Sequence, residues 1–223
     1  DKSLAKHGFT KDDITDVFLT HLHFDHCGGS IVREVDKLIP AFKNAGIHSI
    51  NVSLDTLNRE KFFQITRRDV FEKVWDNIHL LIDKGFHVKV NTVIMRGFND
   101  NEILDFIEWT KNLPVHVRFI EFMPFDGNHW HQQKVFSYQK IIDLAASKYT
   151  FSRMKDALNE TAKKYKPYNH EGTFAIISTM SAPFCSNCNR MRLTADGKMK
   201  NCLFSKAEVD ILSALRNGDD IVP

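Results

Sequence analysis

Net charge is almost absent from this chain. Thirty lysines and arginines face 28 aspartates and glutamates, a balance of +2. No bulk field therefore draws it to nucleic acid or to an acidic membrane, and any anion must be bound locally. No apolar run approaches the roughly 20 residues that a membrane-spanning helix needs, and no signal peptide is visible. These absences lead to the expectation of a cytoplasmic protein with no membrane and no nucleic-acid partner. Cysteine is scarce, with Cys27, Cys185, Cys188 and Cys202 the four in 223 residues. Without a mark of secretion, disulfides are not the default, and three cysteines within residues 185–202 read instead as metal binding. The chain starts at Asp1 rather than Met and ends in Asp-Asp-Ile-Val-Pro, so both natural termini are expected to lie beyond it.

What is present is ordinary for a globular protein: 43% hydrophobic and 26% charged residues, enough for one or two domains. From Val35 to Lys43 apolar residues fall at helical spacing, with Gly46 as the stop. His48–Leu54 reads as a strand, and Thr56 or Asn58 can cap the next helix. An amphipathic run covers Asp69–Lys84, followed by a strand at His87–Ile94, a helix from Asp100 to Trp109 and a strand at Val115–Phe122. Strand and helix alternating at this spacing make the βα repeat of a parallel sheet. Ser53, Asp55, Lys89, Asn91, Arg118 and Glu121 sit within or just after the strands. In an α/β barrel such strand ends carry the chemistry; on an ordinary half-exposed sheet they only face solvent. After Pro124 the rhythm fades into a helix at Ser137–Tyr149, a polar stretch to Gly172 and a strand at Thr173–Ser178. A hairpin then turns at Ala195-Asp196-Gly197.

Two constellations carry chemistry. Residues 18–29, FLTHLHFDHCGG, place His21, His23, Asp25 and His26 after a β-prone run. Imidazole and carboxylate are the usual ligands of a catalytic zinc. The stretch resembles the HxHxDH motif of the metallo-β-lactamase superfamily over residues 1–34, without the downstream ligands that complete such a site. The second constellation is CSNCNRMRLTADGKMKNCLF, residues 185–204. Cys185, Cys188 and Cys202 can hold zinc with a fourth ligand, or an iron–sulfur cluster with one iron left for substrate; spacing alone leaves both open. Arg190 and Arg192, two apart, suit phosphate or carboxylate.

That second stretch, together with INVSLDTLNREKF, VKVNTVIMRGFNDNEI, VRFIEFMP and TFAIISTMSAPFC, resembles the GTP 3′,8-cyclases (MoaA), radical SAM enzymes of molybdenum cofactor biosynthesis. The resemblance runs from about residue 36 to the end. It implies an α/β fold: the C-terminal part of an incomplete (β/α)6 TIM-like barrel plus an iron–sulfur-binding α+β region. The organisation expected is a metallo-β-lactamase-like fragment at 1–35, the last three βα units of a barrel at 36–130, and a cluster and GTP-binding region at 131–223. By the same resemblance Cys185, Cys188 and Cys202 bind a [4Fe–4S] cluster, while Lys89, Arg118, Arg190 and Arg192 bind GTP. Ser53 and Met123 contact S-adenosylmethionine; apart from that resemblance, zinc is a candidate at His21, His23, Asp25 and His26. The implied reaction rearranges GTP through a 5′-deoxyadenosyl radical and passes its product to a cyclic pyranopterin monophosphate synthase.

The chain has no CxxxCxxC motif for the cluster that cleaves S-adenosylmethionine. It therefore reads as a join of two incomplete units near residues 30–36, inactive alone, with no catalytic residue assignable. An exposed parallel-strand edge is expected to make it prone to aggregate. Two other readings remain: a metal-dependent hydrolase using the His motif, and a zinc-stabilised nucleotide-binding module.

Overall fold

A computed structural model describes residues 28–125, 128–205 and 208–219, apart from the side chains of 28–34 and Asn187. It opens on helix α1 (Gly28–Asn44), which carries Pro40 inside it. Val35 and Ile39, four apart, are its buried contacts. The helix passes through residues 30–36 without a break, so the boundary expected at 35/36 falls inside one element. The His motif at 21–26 lies outside the described residues.

Strand β1 (Ser49–Ser53) leads to helix α2 (Arg59–Thr66), whose first turn is capped by Asn58 accepting from the Lys61 amide at 3.0 Å. Helix α3 (Phe71–Asp83) presents Val74, Ile78, Leu81 and Ile82 to the core. Strand β2 (His87–Ile94) follows, then a 3₁₀ turn at 100–102 running into helix α4 (Ile103–Trp109), and strand β3 (His116–Glu121). Helix α5 (Tyr138–Ala146) precedes β4 (Phe151–Arg153), β5 (Lys163–Pro167) and β6 (Thr173–Ile177). A small unit closes the described chain: β7 (Arg192–Leu193), β8 (Lys198–Lys200), β9 (Val209–Asp210) and helix α6 (Ile211–Asn217).

The main sheet has the order β1-β2-β3-β6-β5-β4. The first three pairings are parallel, while β5 and β4 join antiparallel. Four adjacent parallel strands joined through helices fit a partial radical-SAM-type barrel. The sequence predicts no strand in the polar stretch before Gly172, yet β4 and β5 form there. Lys163-Lys164-Tyr165-Lys166 hides its alternation because the face opposite Tyr165 is itself polar. Gly172 makes the seam between β3 and β6 possible, since a Cβ there would stand 2.2 Å from the Val115 carbonyl oxygen.

One face of the sheet makes the core. Val52, Val88, Val90, Ile94, Val117, Phe119, Phe174 and Ile176 are fully buried against Ile78, Ile103, Phe106, Ile107 and Ile141 of the helices. Each such side chain contributes about 1.5–3 kcal/mol on leaving water. Phe106 meets Phe119 edge-on at 6.2 Å, and Tyr165 stacks on Phe174 at 5.1 Å.

Two strand-end acids among the candidates for chemistry are structural. Glu121 is fully buried on the core face and accepts from the amides of Tyr138, Met180 and Ser181 at 2.7–2.9 Å and from the Ser181 hydroxyl. It ties the start of α5 to the turn after β6. Asp55 accepts from the Val93 amide at 2.7 Å and joins the end of β1 to β2. Among the described residues no helix is long and apolar enough to cross a membrane.

Candidate anion-binding site

Alternation in the strands sends every second side chain to the face away from the helices. In β2 that rule buries Val88, Val90, Thr92 and Ile94 and leaves His87, Lys89 and Asn91 on the other side. Asn51 and Ser53 of β1, and His116 and Arg118 of β3, occupy the same face. The register sets Ser53 beside Asn91, Asn91 beside Arg118, Arg118 beside Ala175 and Ala175 beside Lys164. One rung of the sheet therefore carries two cations separated by a small alanine.

Arg118 is fixed by two amides. Its Nε donates to Asn91 Oδ1 and its Nη2 to Asn51 Oδ1, each at 2.7 Å. Neutral oxygens orient the guanidinium without cancelling its charge. A fourth cation arrives from outside the sheet: Arg190 donates through Nη1 to Thr161 Oγ1 at 2.9 Å. Lys164 Nζ pairs with Glu160 at 2.8 Å.

The groups on this face feel one another. Burial holds the Arg118 pKa below its ordinary value, and the charge of Arg190 adds to that. Burial also lowers Lys89, with Arg118 and Lys164 reinforcing the shift and Glu160 opposing it. His87 is lowered by burial first, then by Lys89, Arg118 and Lys164. His116, more deeply buried, is pushed down to about 3 by the same two causes, and its ring shares a hydrogen bond with the Thr173 hydroxyl. Both imidazoles, lowered from an ordinary value already below 7, are thus neutral near pH 7, which leaves the positive charge of the face to its lysines and arginines. Partly desolvated cations in excess of their acids are costly until an anion joins them. The face is chemically suited to a polyanion carrying phosphates or carboxylates.

The sequence-derived candidates fall out as follows. Lys89 and Arg118 share the face, and Arg190 reaches it through Thr161. Arg192 lies exposed on β7 in register with Lys200. Arg190 precedes β7, so the two arginines do not form one strand pair. Ser53 ends β1 beside Asn91, and Met123 lies two residues past β3, its carbonyl accepting from Asn128 at 2.8 Å. Both occupy the carboxyl edge of the parallel strands. Cys185, Cys188 and Cys202 are free and exposed. As donors, three thiols with no histidine in their stretch suit an iron–sulfur cluster. Among the described residues, however, no three His, Cys, Asp or Glu side chains are gathered closely enough to hold a metal ion.

Sequence reasoning passed over Asn51, Thr161, Glu160 and Lys164. The first was legible from the alternation Asn51-Val52-Ser53. The others belong to the polar stretch before Gly172, which carries no motif. A separate cleft of about 440 Å³ opens beyond the strand ends, lined by Arg96, Trp130, Lys140 and Ser181 among others. It shares none of the residues of the cationic face.

Comparison with known proteins agrees with this architecture. Residues 11–110 match the Radical SAM superfamily and residues 115–222 match Molybdenum Cofactor Synthesis C. The chain is 46% identical over 186 residues to the mitochondrial GTP 3′,8-cyclase of Arabidopsis thaliana, covering 82% of this chain and 48% of that protein. It is 45% identical over 184 residues to molybdenum cofactor biosynthesis protein 1 of Homo sapiens, covering 82% and 29%. It is 44% identical over 184 residues to the GTP 3′,8-cyclase of Syntrophomonas wolfei, covering 81% and 56%. The chain thus spans from under a third to just over half the length of these relatives. The radical SAM match starts at residue 11 and runs through His21–His26, and nothing in the comparisons supports a metallo-β-lactamase unit or a zinc site there. The two matched regions run in tandem from residue 11 to 222, so over most of its length the chain is similar to the radical SAM proteins of molybdenum cofactor synthesis.

Proposed function

We propose that this chain is the GTP-binding, carboxyl-terminal portion of a GTP 3′,8-cyclase. The observation that carries the reading is the cationic face: Lys89 and Arg118 on adjacent parallel strands, with Arg190 brought beside them. A nucleoside triphosphate supplies the negative charge that this face lacks. Lys89, Arg118 and Arg190 bind the phosphates, Arg192 completes the set from the hairpin, and the Asn51 and Asn91 amides hold Arg118 in its direction. Ser53 and Met123, at the carboxyl edge, contact S-adenosylmethionine. Cys185, Cys188 and Cys202 would hold a [4Fe–4S] cluster, which when bound supplies an open iron for a substrate nitrogen or oxygen.

The division proposed within the described chain is a partial barrel to about residue 130 and a cluster and substrate region beyond it. With no CxxxCxxC motif in its sequence, the chain does not cleave S-adenosylmethionine by itself. The complete enzyme's product goes to a cyclic pyranopterin monophosphate synthase. A cytoplasmic setting is proposed for the chain, although the Arabidopsis relative's name carries "mitochondrial".

Iron, acid-labile sulfide and zinc measured in anaerobically purified chain, with and without GTP, test this reading. About four irons with matching sulfide per chain, and a spectral change on adding GTP, are expected. Zinc without iron would overturn the cluster assignment in favour of a structural metal site. Failure of GTP to bind would overturn the substrate.

A further inference from the structure

The segment from Ala157 to Lys164 carries no motif and belongs to the polar stretch before Gly172, yet it lines the cationic face. Thr161 is buried and orients Arg190. Three residues on, Lys164 shares a rung with Ala175 and Arg118. Its Nζ is held by Glu160 Oε2 at 2.8 Å, with both side chains about one quarter exposed. The same Glu160 oxygen accepts from the Ala157 amide at 2.9 Å. Glu160 is therefore anchored by its own turn and stays in place whether or not Lys164 is bound to it. Its charge is felt at both Lys89 and Arg118. It is the one acid among the groups that shift Lys89 and Arg118.

From these contacts we infer that Lys164 is a further polyphosphate-binding residue of the site. Glu160 acts as its resident counter-ion, which the phosphates of the ligand replace. The inference rests on the reading of the face as a nucleotide site and extends it to a pair of residues that this reading does not use. The geometry favours exchange over a fixed structural bridge. An ion pair this exposed is worth little by itself. It also lies beside Lys89 and Arg118, whose charges draw an anion to the same place. A lysine on a flexible stem can turn from Glu160 to a phosphate a few ångströms away without moving the strand.

Titration of the whole chain with inorganic tripolyphosphate, GTP, ATP and uncharged guanosine tests the pair. Lys164→Met, which keeps the apolar stem, is expected to weaken tripolyphosphate and GTP about tenfold, the scale of one charged hydrogen bond. Guanosine should be unmoved. Lys164→Arg should restore most of the affinity. Glu160→Gln, which keeps an acceptor for the Ala157 amide, should tighten both anions about threefold. An unchanged tripolyphosphate affinity in Lys164→Met, with an unchanged unfolding midpoint, would overturn the inference, as would no gain in Glu160→Gln. If tripolyphosphate binds but GTP has no advantage over ATP, the nucleotide reading fails while the Lys164 comparison still decides. A wild-type chain that binds no polyanion would sink both.

Discussion

The two sheets of this chain are built on opposite terms. The six-stranded sheet buries one whole face under helices, with Val52, Val90, Ile94, Phe119 and Phe174 removed from water. The three-stranded sheet β7-β8-β9 leaves Leu193 and Val209 about two-thirds exposed, as is Met191 just before it. The first holds its shape through its own core. The second, with strands of two or three residues, falls below what an isolated sheet needs for independent stability. It is also where the three thiols lie. A segment rich in donors and poor in core takes its order from what it binds, as small metal-binding units do.

The comparison is broken most directly by truncating matched apolar residues. Phe119→Ala should cost about 3–5 kcal/mol, because it empties a fully buried site between Phe106 and Phe174. Leu193→Ala, in the small sheet, should cost less than about 0.5 kcal/mol. Denaturant unfolding of both variants measures the contrast, and equal losses would mean that residues 185–219 have a core of their own.

A smaller effect is expected at Glu121, which serves four donors from one buried position. Glu121→Ala leaves those donors without their acceptor and should destabilise by about 3 kcal/mol. Anion binding at the opposite face should change little. A specific loss of nucleotide affinity at unchanged stability would instead return Glu121 to the site.

A third effect is a pH dependence. The folded pKa of His116, about 3, lies below the ordinary 6.5 because of burial first and the neighbouring cations second. Between those values the unfolded chain binds a proton that the folded chain refuses, so stability rises with pH through that window and is complete above it. The slope should be at most about 1.4 kcal/mol per pH unit and should flatten in His116→Gln. A polyanion bound on this face should shrink the slope by raising the folded pKa. A slope indifferent to tripolyphosphate would separate His116 from the binding face.

The open edge of β1 bears on handling rather than chemistry. β1 pairs only with β2 among the described strands, which leaves a row of backbone groups available to other chains.

The period-two and period-3.6 patterns located α3, β2, α4, β3, α5 and β6 to within a few residues, because each buries one face or stripe and its sequence records that burial. The cysteine-rich stretch and the lysine and arginine of β2 and β3 were equally legible, since chemistry at a motif is local. Three things were not. Glu121 and Arg118, three residues apart on one strand, looked alike as charged strand residues, and only the pleat sent one to the core and the other to the site. β5 was invisible because a strand lining a polar face carries lysines where pattern reading expects apolar residues. Lys164 meets Arg118 from 46 positions away, across Ala175. Sequence by itself determined which residues could bury and which could carry charge. Which charges stand together was decided only by the order and register of the strands, because pairing between distant segments is fixed by packing of the whole sheet and not by any local preference.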